Sequence, residues 1–272
     1  MTAPRGCVRF GLVIVGDEIL SGKRQDKHLS KVIELLGARG LQLAWSHYIG
    51  DDRDALIALY RRTFATDDVV ISCGGIGATP DDHTRQAAAA ALDVPLQLHP
   101  QAASLITERC AEMARKGMGS ADMSTPENQQ RLKMGDFPSG VAIIPNPFNR
   151  IPGFSIRHHW FLPGFPVMAW PMIEWLLDTH YAKYFNSQSR AERSLIVFEV
   201  AESLLAPLME QVEQNFPGVH SFSLPSVGDG QDGKPARRHV ELGVRGDASI
   251  IERAFDEMRA NVLALGAEVS PQ

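Results

Sequence analysis

Val69-Val70-Ile71-Ser72-Cys73 runs directly into Gly74-Gly75-Ile76-Gly77-Ala78-Thr79-Pro80-Asp81-Asp82-His83-Thr84. The first five residues read as a short buried strand, mostly apolar because both faces are covered. The glycines that follow let backbone amides crowd around an anion. An alanine-rich helix over Asp82–Leu92 adds the positive end of its dipole. That is a phosphate cradle, with Gly74, Gly75, Ile76, Gly77, Thr79, Asp81 and Thr84 as candidate contacts. It is neither a P-loop, since no Gly-Lys-Ser/Thr follows, nor a GxGxxG fingerprint. Two carboxylates beside a phosphate make sense if a divalent cation bridges them. A plain helix cap by Asp81 or Asp82 is the other reading.

The same alternation extends outward in both directions. Upstream, Phe10–Val15 is a continuous apolar run, followed by a polar loop Gly16–Asp26 in which Glu18 and Ser21 are placed to face a ligand. Leu29, Val32, Ile33 and Leu36 then recur at helical spacing, ended by Gly37 and Gly40. Leu41–Ile49 reads as a second strand, and Gly50-Asp51-Asp52 opens a second helix. Asp51 either supplies a further carboxylate to the same edge or serves as a helix cap. Downstream come helices from Gln101 to about Lys116 and over Pro126–Leu132, and strands at Val141–Ile144 and His159–Leu162. An apolar helix follows over Pro166–His180. Strands alternating with helices predict a mostly parallel α/β sheet, with ligands beyond the carboxyl ends of its strands. Two further turns bear on that edge. Asn146 to Phe154 carries Arg150, a possible phosphate partner. Pro163-Gly164-Phe165-Pro166 is a rigid turn that either offers amides to a ligand or is only a turn.

The predicted divisions are an α/β domain over residues 1–182, a linker over 183–193 and a small domain over 194–272. The tail pattern is β-α-β-β-α, with a glycine-rich turn at Gly228–Gly233. The chain has 272 residues and a net charge of -5 at pH 7. Such a length buries a sizeable core unaided. The acidity argues against non-specific nucleic-acid binding and against a polybasic membrane anchor. No apolar run reaches the ~20 residues that cross a bilayer. Residues Met1–Arg9 do not read as a secretory signal. Cys7, Cys73 and Cys110 are too scattered for a metal site and suit a reducing cytoplasm. His158 and His159 have no second ligand pair nearby.

These motifs together resemble the molybdopterin-binding fold family, above all the N-terminal domain of CinA-type competence/damage-inducible proteins. The shared pieces are Gly16-x-Glu18-Ile19-Leu20-x-Gly22, Asp51-Asp52, the Gly74–Thr84 block, Asn146-Pro147 with Pro152-Gly153-Phe154, and Pro163-Gly164-x-Pro166. The resemblance implies a three-layer α/β/α domain that binds a molybdopterin or a nucleotide through its phosphates, cytoplasmic and assembled as a dimer or trimer. It also implies a small KH-like α+β tail; with no Gly-x-x-Gly loop there, RNA binding is not implied. From the length, the amidase-type domain of CinA proteins is expected to be absent.

For chemistry, the resemblance implies pyrophosphate hydrolysis on an ADP-ribose-like molecule. Asp82 and Asp51 would be catalytic and would hold Mg²⁺, Mn²⁺ or Co²⁺. A non-catalytic binding role and adenylyl transfer in molybdenum-cofactor synthesis are the alternatives. The chain departs from the family pattern at Lys27 and His28, at Ala78, at Asn149-Arg150, where Gly-Thr is usual, and at Met168, where Glu is usual. Asn149 is expected to take the left-handed conformation that the glycine would supply.

Overall fold

The structure is a computed structural model that describes residues 8–187, 190–226 and 237–271. The first seven residues, Cys7 among them, and the turn expected at Gly228–Gly233 lie outside the described residues. The chain divides into two compact units between Phe185 and Asn186.

The first unit is built on a six-stranded sheet. Strands β1 (Phe10–Val15), β2 (Leu43–Ile49) and β3 (Val69–Cys73) form where expected, β2 starting two residues late. Two three-residue strands, β4 (Leu96–Leu98) and β5 (Asp136–Pro138), make a separate antiparallel ribbon. Then come β6 (Ala142–Ile144), β7 (Gly153–Ile156) and β8 (His159–Leu162). The order is β2-β1-β3-β8-β7-β6. β2, β1, β3 and β8 are parallel, and β7 runs antiparallel to both β8 and β6. The sheet is therefore mixed, and β4, β5 and β7 are additions to the sequence reading.

β1 shows why the sheet is covered twice. All six of its residues are buried. Phe10, Leu12 and Ile14 meet one layer, Val13 and Val15 the other. The first layer holds α2 (His28–Gly37), through Val32 and Leu36, and α7 (Pro166–Leu176), through Met172 and Leu176. The second holds α3 (Arg53–Phe64), through Leu56 and Tyr60, and α4 (Thr84–Leu92), through Ala87 and Ala88. Around these lie the short helix α1 (Asp17–Leu20), α5 (Pro100–Arg115) and α6 (Pro126–Leu132). The helix expected over Pro166–His180 is α-helical only to Leu176 and then widens into a π turn over Leu177–Tyr181.

His159 opens β8 deep in the second layer. It is 1% exposed, its Nε2 lies 2.8 Å from Thr63 Oγ1, and its ring sits 3.9 Å from that of Phe64. Burial, with His158 and Arg157 adding to it, pushes its pKa down to about 3. The fold thus prefers the neutral ring. Its contribution is complete above the unfolded value near ~6.5 and is lost as pH falls from there toward the folded value, at about 1.4 kcal/mol per pH unit. In urea titrations His159→Phe should therefore show a flatter fall in stability than wild type between pH 6 and pH 4. Parallel curves would refute this.

The second unit comprises β9 (Arg190–Phe198), α8 (Glu202–Asn215), β10 (His220–Ser226), β11 (His239–Asp247), α9 (Ala248–Ala264) and β12 (Glu268–Pro271). Its antiparallel sheet has the order β10-β11-β9-β12. Leu195, Val197, Leu242 and Val244 pack with Leu205, Val212, Ile251 and Met258 of the helices. Two corrections follow. β12 turns the expected β-α-β-β-α into β-α-β-β-α-β, a split arrangement in which the last strand pairs beside the first. And β9 begins at Arg190, inside the stretch expected as a linker.

Candidate functional site

Because β1, β2, β3 and β8 are parallel, their carboxyl ends share one edge, and the loops at Gly16, Gly50, Gly74 and Pro163 all leave from it. After β1 the chain enters a helix of the first layer, and after β3 one of the second. Adjacent strands whose connections diverge leave a crevice between them, where open α/β sheets bind ligands.

The glycine loop fills that crevice. Gly74 has φ 110° and Gly75 φ 68°, both in the region that favours glycine. A Cβ on Gly74 would clash with the Val15 carbonyl, and one on Gly75 with the Thr84 hydroxyl. Thr84, fully buried at the start of α4, donates from Oγ1 to the Gly74 carbonyl and from its amide to the Gly75 carbonyl, both at 3.0 Å. Arg85 Nη2 donates to the Gly77 carbonyl at 2.5 Å. In a trans peptide the N–H points opposite to the C=O, and no peptide here is cis. Holding the carbonyls of residues 74, 75 and 77 therefore turns the amides of Gly75, Ile76 and Ala78 the other way. None of those three amides meets an acceptor among the described residues. Three unpaired amides within four residues of one loop are donors that an anion nest would use.

Asp82 has a different place. Its Oδ1 accepts from the Gly77 amide at 2.8 Å, and its Oδ2 accepts from the Thr79 amide at 2.8 Å and the Thr79 hydroxyl at 2.5 Å. These bonds fold the loop back on itself, so α4 starts at Thr84 rather than at Asp82. Gly77 and Thr79 thus spend their amides inside the loop.

The acidic residues gather beside the nest. Asp17 and Asp51 bind reciprocally: the Asp17 amide donates to Asp51 Oδ2 at 2.9 Å, and the Asp51 amide to Asp17 Oδ1 at 3.2 Å. Partial burial raises the Asp51 carboxyl above its usual range. Its bond from the Asp17 amide opposes this, while the charges of Asp17, Asp81 and Glu18 add to it. Asp81 is held below its usual range by its own turn, through the neighbouring Thr79 side chain and its own backbone amide. Carboxylates from three loops therefore sense one another. Among the described residues, however, no group of three or more His, Cys, Asp or Glu side chains is arranged to hold a metal ion. Asp52 caps α3 through the Ala55 amide at 2.8 Å. Gly16 ties the first loop to β2 through Ile49 O at 3.0 Å, and Ser21 closes α1 through Asp17 O at 2.8 Å.

On the far side of the crevice, Gly164 comes close to Gly74: a Cβ on Gly164 would lie 3.4 Å from the Gly74 Cα. His28, buried at the start of α2, holds the Gly164 carbonyl with Nε2 at 2.9 Å. Arg24 lies over the exposed ring of Phe165, 5.9 Å from its centroid. Asn146 is buried and organises its own loop through Asn149 Oδ1, Ile151 O and the Phe148 amide. Two expectations about that loop change. The left-handed residue is Arg150, at φ 67°, not Asn149, whose side-chain oxygen instead accepts from the Ile151 amide at 3.0 Å. Arg150 is also paired with Glu108 at 3.4 Å, so a phosphate contact from it must first break that exposed ion pair.

Asp17 and Arg85 escaped the sequence reading, and His28 entered it only as a departure from the family pattern. Two of these lie on the buried face of their helices, His28 ahead of Val32, Leu35 and Leu36, and Arg85 ahead of Ala88 and Ala89. A polar side chain on the core-facing stripe, in the first turn of the helix, was the available signal.

Four parallel strands whose connections diverge at their carboxyl edge, covered by helices on both faces, define a three-layer α/β protein. The model of a family described as a probable molybdopterin binding domain matches residues 11–182, and the chain belongs to that family. It is 32% identical over 273 residues to a CinA-like protein of Anaeromyxobacter sp. strain Fw109-5, covering 93% of this chain and 63% of that relative. A CinA-like protein of Syntrophotalea carbinolica is 30% identical over 220 residues, covering 77% of this chain and 51% of the relative. The chain thus spans between half and two thirds of the length of these relatives. The crystal structure of the protein CinA with unknown function from Thermoplasma acidophilum superposes with a TM-score of 0.53 at 25% identity, covering 62% of this chain and 97% of that one. Among the described residues no helix is long and apolar enough to cross a membrane.

Proposed function

We propose that the first unit binds a phosphate-bearing nucleotide or pterin in the crevice between β1 and β3 and hydrolyses its pyrophosphate, as on an ADP-ribose-like molecule. The observation that carries this reading is the nest of Gly75, Ile76 and Ala78 amides beside the Asp17–Asp51 pair. The amides hold non-bridging oxygens and stabilise the charge that builds on phosphorus. Water adds to one phosphorus and the bridging oxygen departs with the other phosphate. Asp51 takes the proton of the attacking water, a role that suits a carboxyl lifted by burial.

Among the described residues no three acids are arranged as a preformed metal centre. Both Asp82 oxygens are engaged in the loop, and each of Asp51 and Asp17 uses an oxygen on the other's amide. A divalent cation therefore arrives with the phosphates of the ligand, as is common for Mg²⁺. Thermal melts test this. MnCl₂ alone should leave the melting temperature within about 1 °C, whereas MnCl₂ with excess pyrophosphate should raise it by several degrees. Stabilisation by the metal alone refutes the absence of a preformed centre. No stabilisation by any phosphate ligand, and no turnover across a panel of dinucleotides, refutes the function.

The involvement of Asp82 in its own loop also favours a second reading, a non-catalytic binder of the same ligands. Under it the ligand stabilises the chain without being consumed. The homo-oligomer implied by the family resemblance belongs to both readings, and light scattering of the free chain tests it.

A further inference from the structure

The Gly77–Ala78 peptide is held by a buried side chain whose own position needs explaining. Arg85 is 3% exposed. Besides Gly77 O, it donates from Nη1 to the Lys133 carbonyl in the turn after α6, and its Nε has no partner. Gln130 of α6 donates to the next loop carbonyl, that of Ala78. Burying a guanidinium is costly unless it is well compensated, and an arginine on an alanine-rich helix is easily accommodated in water instead. Arg85 is spent on two backbone carbonyls from separate segments, with the charges of Asp82 and Asp136 near it.

We infer that Arg85 is a positioning residue for anion binding: by holding the Gly77 carbonyl it aims the Ala78 amide into the nest, and through Lys133 it ties the nest to the turn after α6. The inference rests on the glycine loop being the anion site of the proposed function. It is selective, because Thr84 alone sets the amides of Gly75 and Ile76. Lysine has a single donor nitrogen and cannot span both carbonyls as the arginine fork does.

The test is a titration of the ¹⁵N-labelled full chain with inorganic pyrophosphate and Mg²⁺, following the three amide resonances. In wild type all three should move. In Arg85→Met the Ala78 response should vanish while Gly75 and Ile76 still respond, with affinity at least tenfold weaker; Arg85→Lys should lie between the two. If Arg85→Met does not fold, an intermediate Ala78 response in Arg85→Lys supports the inference and an unchanged one overturns it. A wild-type Ala78 response in Arg85→Met also overturns it. So does the joint loss of all three responses in either variant, which marks a merely structural role. If none of the three amides moves in wild type, the glycine loop is not the anion site and the proposed function fails with the inference.

Discussion

Gly75→Ala is expected to weaken pyrophosphate binding by about two orders of magnitude, the scale of losing a preorganised oxyanion donor. At φ 68° the backbone strain of an alanine is about 1–2 kcal/mol, so the chain should still fold. The damage is local: the new Cβ meets the Thr84 hydroxyl, which is buried and already holds the Gly74 carbonyl. Either the loop or Thr84 must move, and both set the amides of Gly75 and Ile76. Gly140→Ala is the control. Gly140 has φ 86° but open space around it, so its alanine should cost a little stability and leave binding unchanged. Calorimetric titration compares the two, and equal affinities in the pair would remove the nest from the explanation.

Asp82→Asn should lower turnover by about 100-fold or more, again the scale of losing one such donor, and excess metal should not restore it. The Asp82 carboxylate accepts from two amides and a hydroxyl. Asparagine has a single side-chain oxygen, and its NH₂ would confront one of those donors. The loop should open and the nest lose its shape. Raising Mn²⁺ tenfold separates the possible roles: recovery identifies Asp82 as a metal ligand, while continued loss fits a loop organiser.

Much of this architecture could be read directly because the decisive strands are buried on both faces. Phe10–Val15 and Val69–Cys73 are unbroken in burial, and each ends in a glycine-bearing loop. The strands that escaped are short or interrupted. β4 and β5 have three residues each, β7 begins at a glycine just after Pro152, and β12 ends at Pro271. Such segments owe their state to partners elsewhere in the chain: Leu96 pairs with Pro138, and Val269 with Val197. The site divides in the same way. Its glycines and the acids Asp51, Asp81 and Asp82 stand out by type and spacing, whereas Asp17, the partner of Asp51, reads as one more polar residue of its loop. The buried contacts of Arg85 with Lys133, and of His28 with Gly164, cross 48 and 136 residues, so local pattern marks these side chains as buried but not what they hold. The roles of Asp81 and Asp82 depended on which way one turn folds, and side-chain bonds to the backbone decide that.

The pairing of β3 with β8 has a consequence for how the protein is made. Cys73 pairs with Leu162, 89 residues later, and the Gly74 amide bonds to the Leu162 carbonyl at 2.9 Å. At ribosomal speeds of 5–20 residues per second, β3 waits roughly 4–18 s for that partner. Until then one edge of Val69–Cys73 is unpaired, and the crevice lacks its wall. Nascent chains halted before His159 carry an open, apolar strand edge, the kind that pairs with its own copies. The ligand site is thus completed late in synthesis, and the same interval is when the chain most needs protection from aggregation.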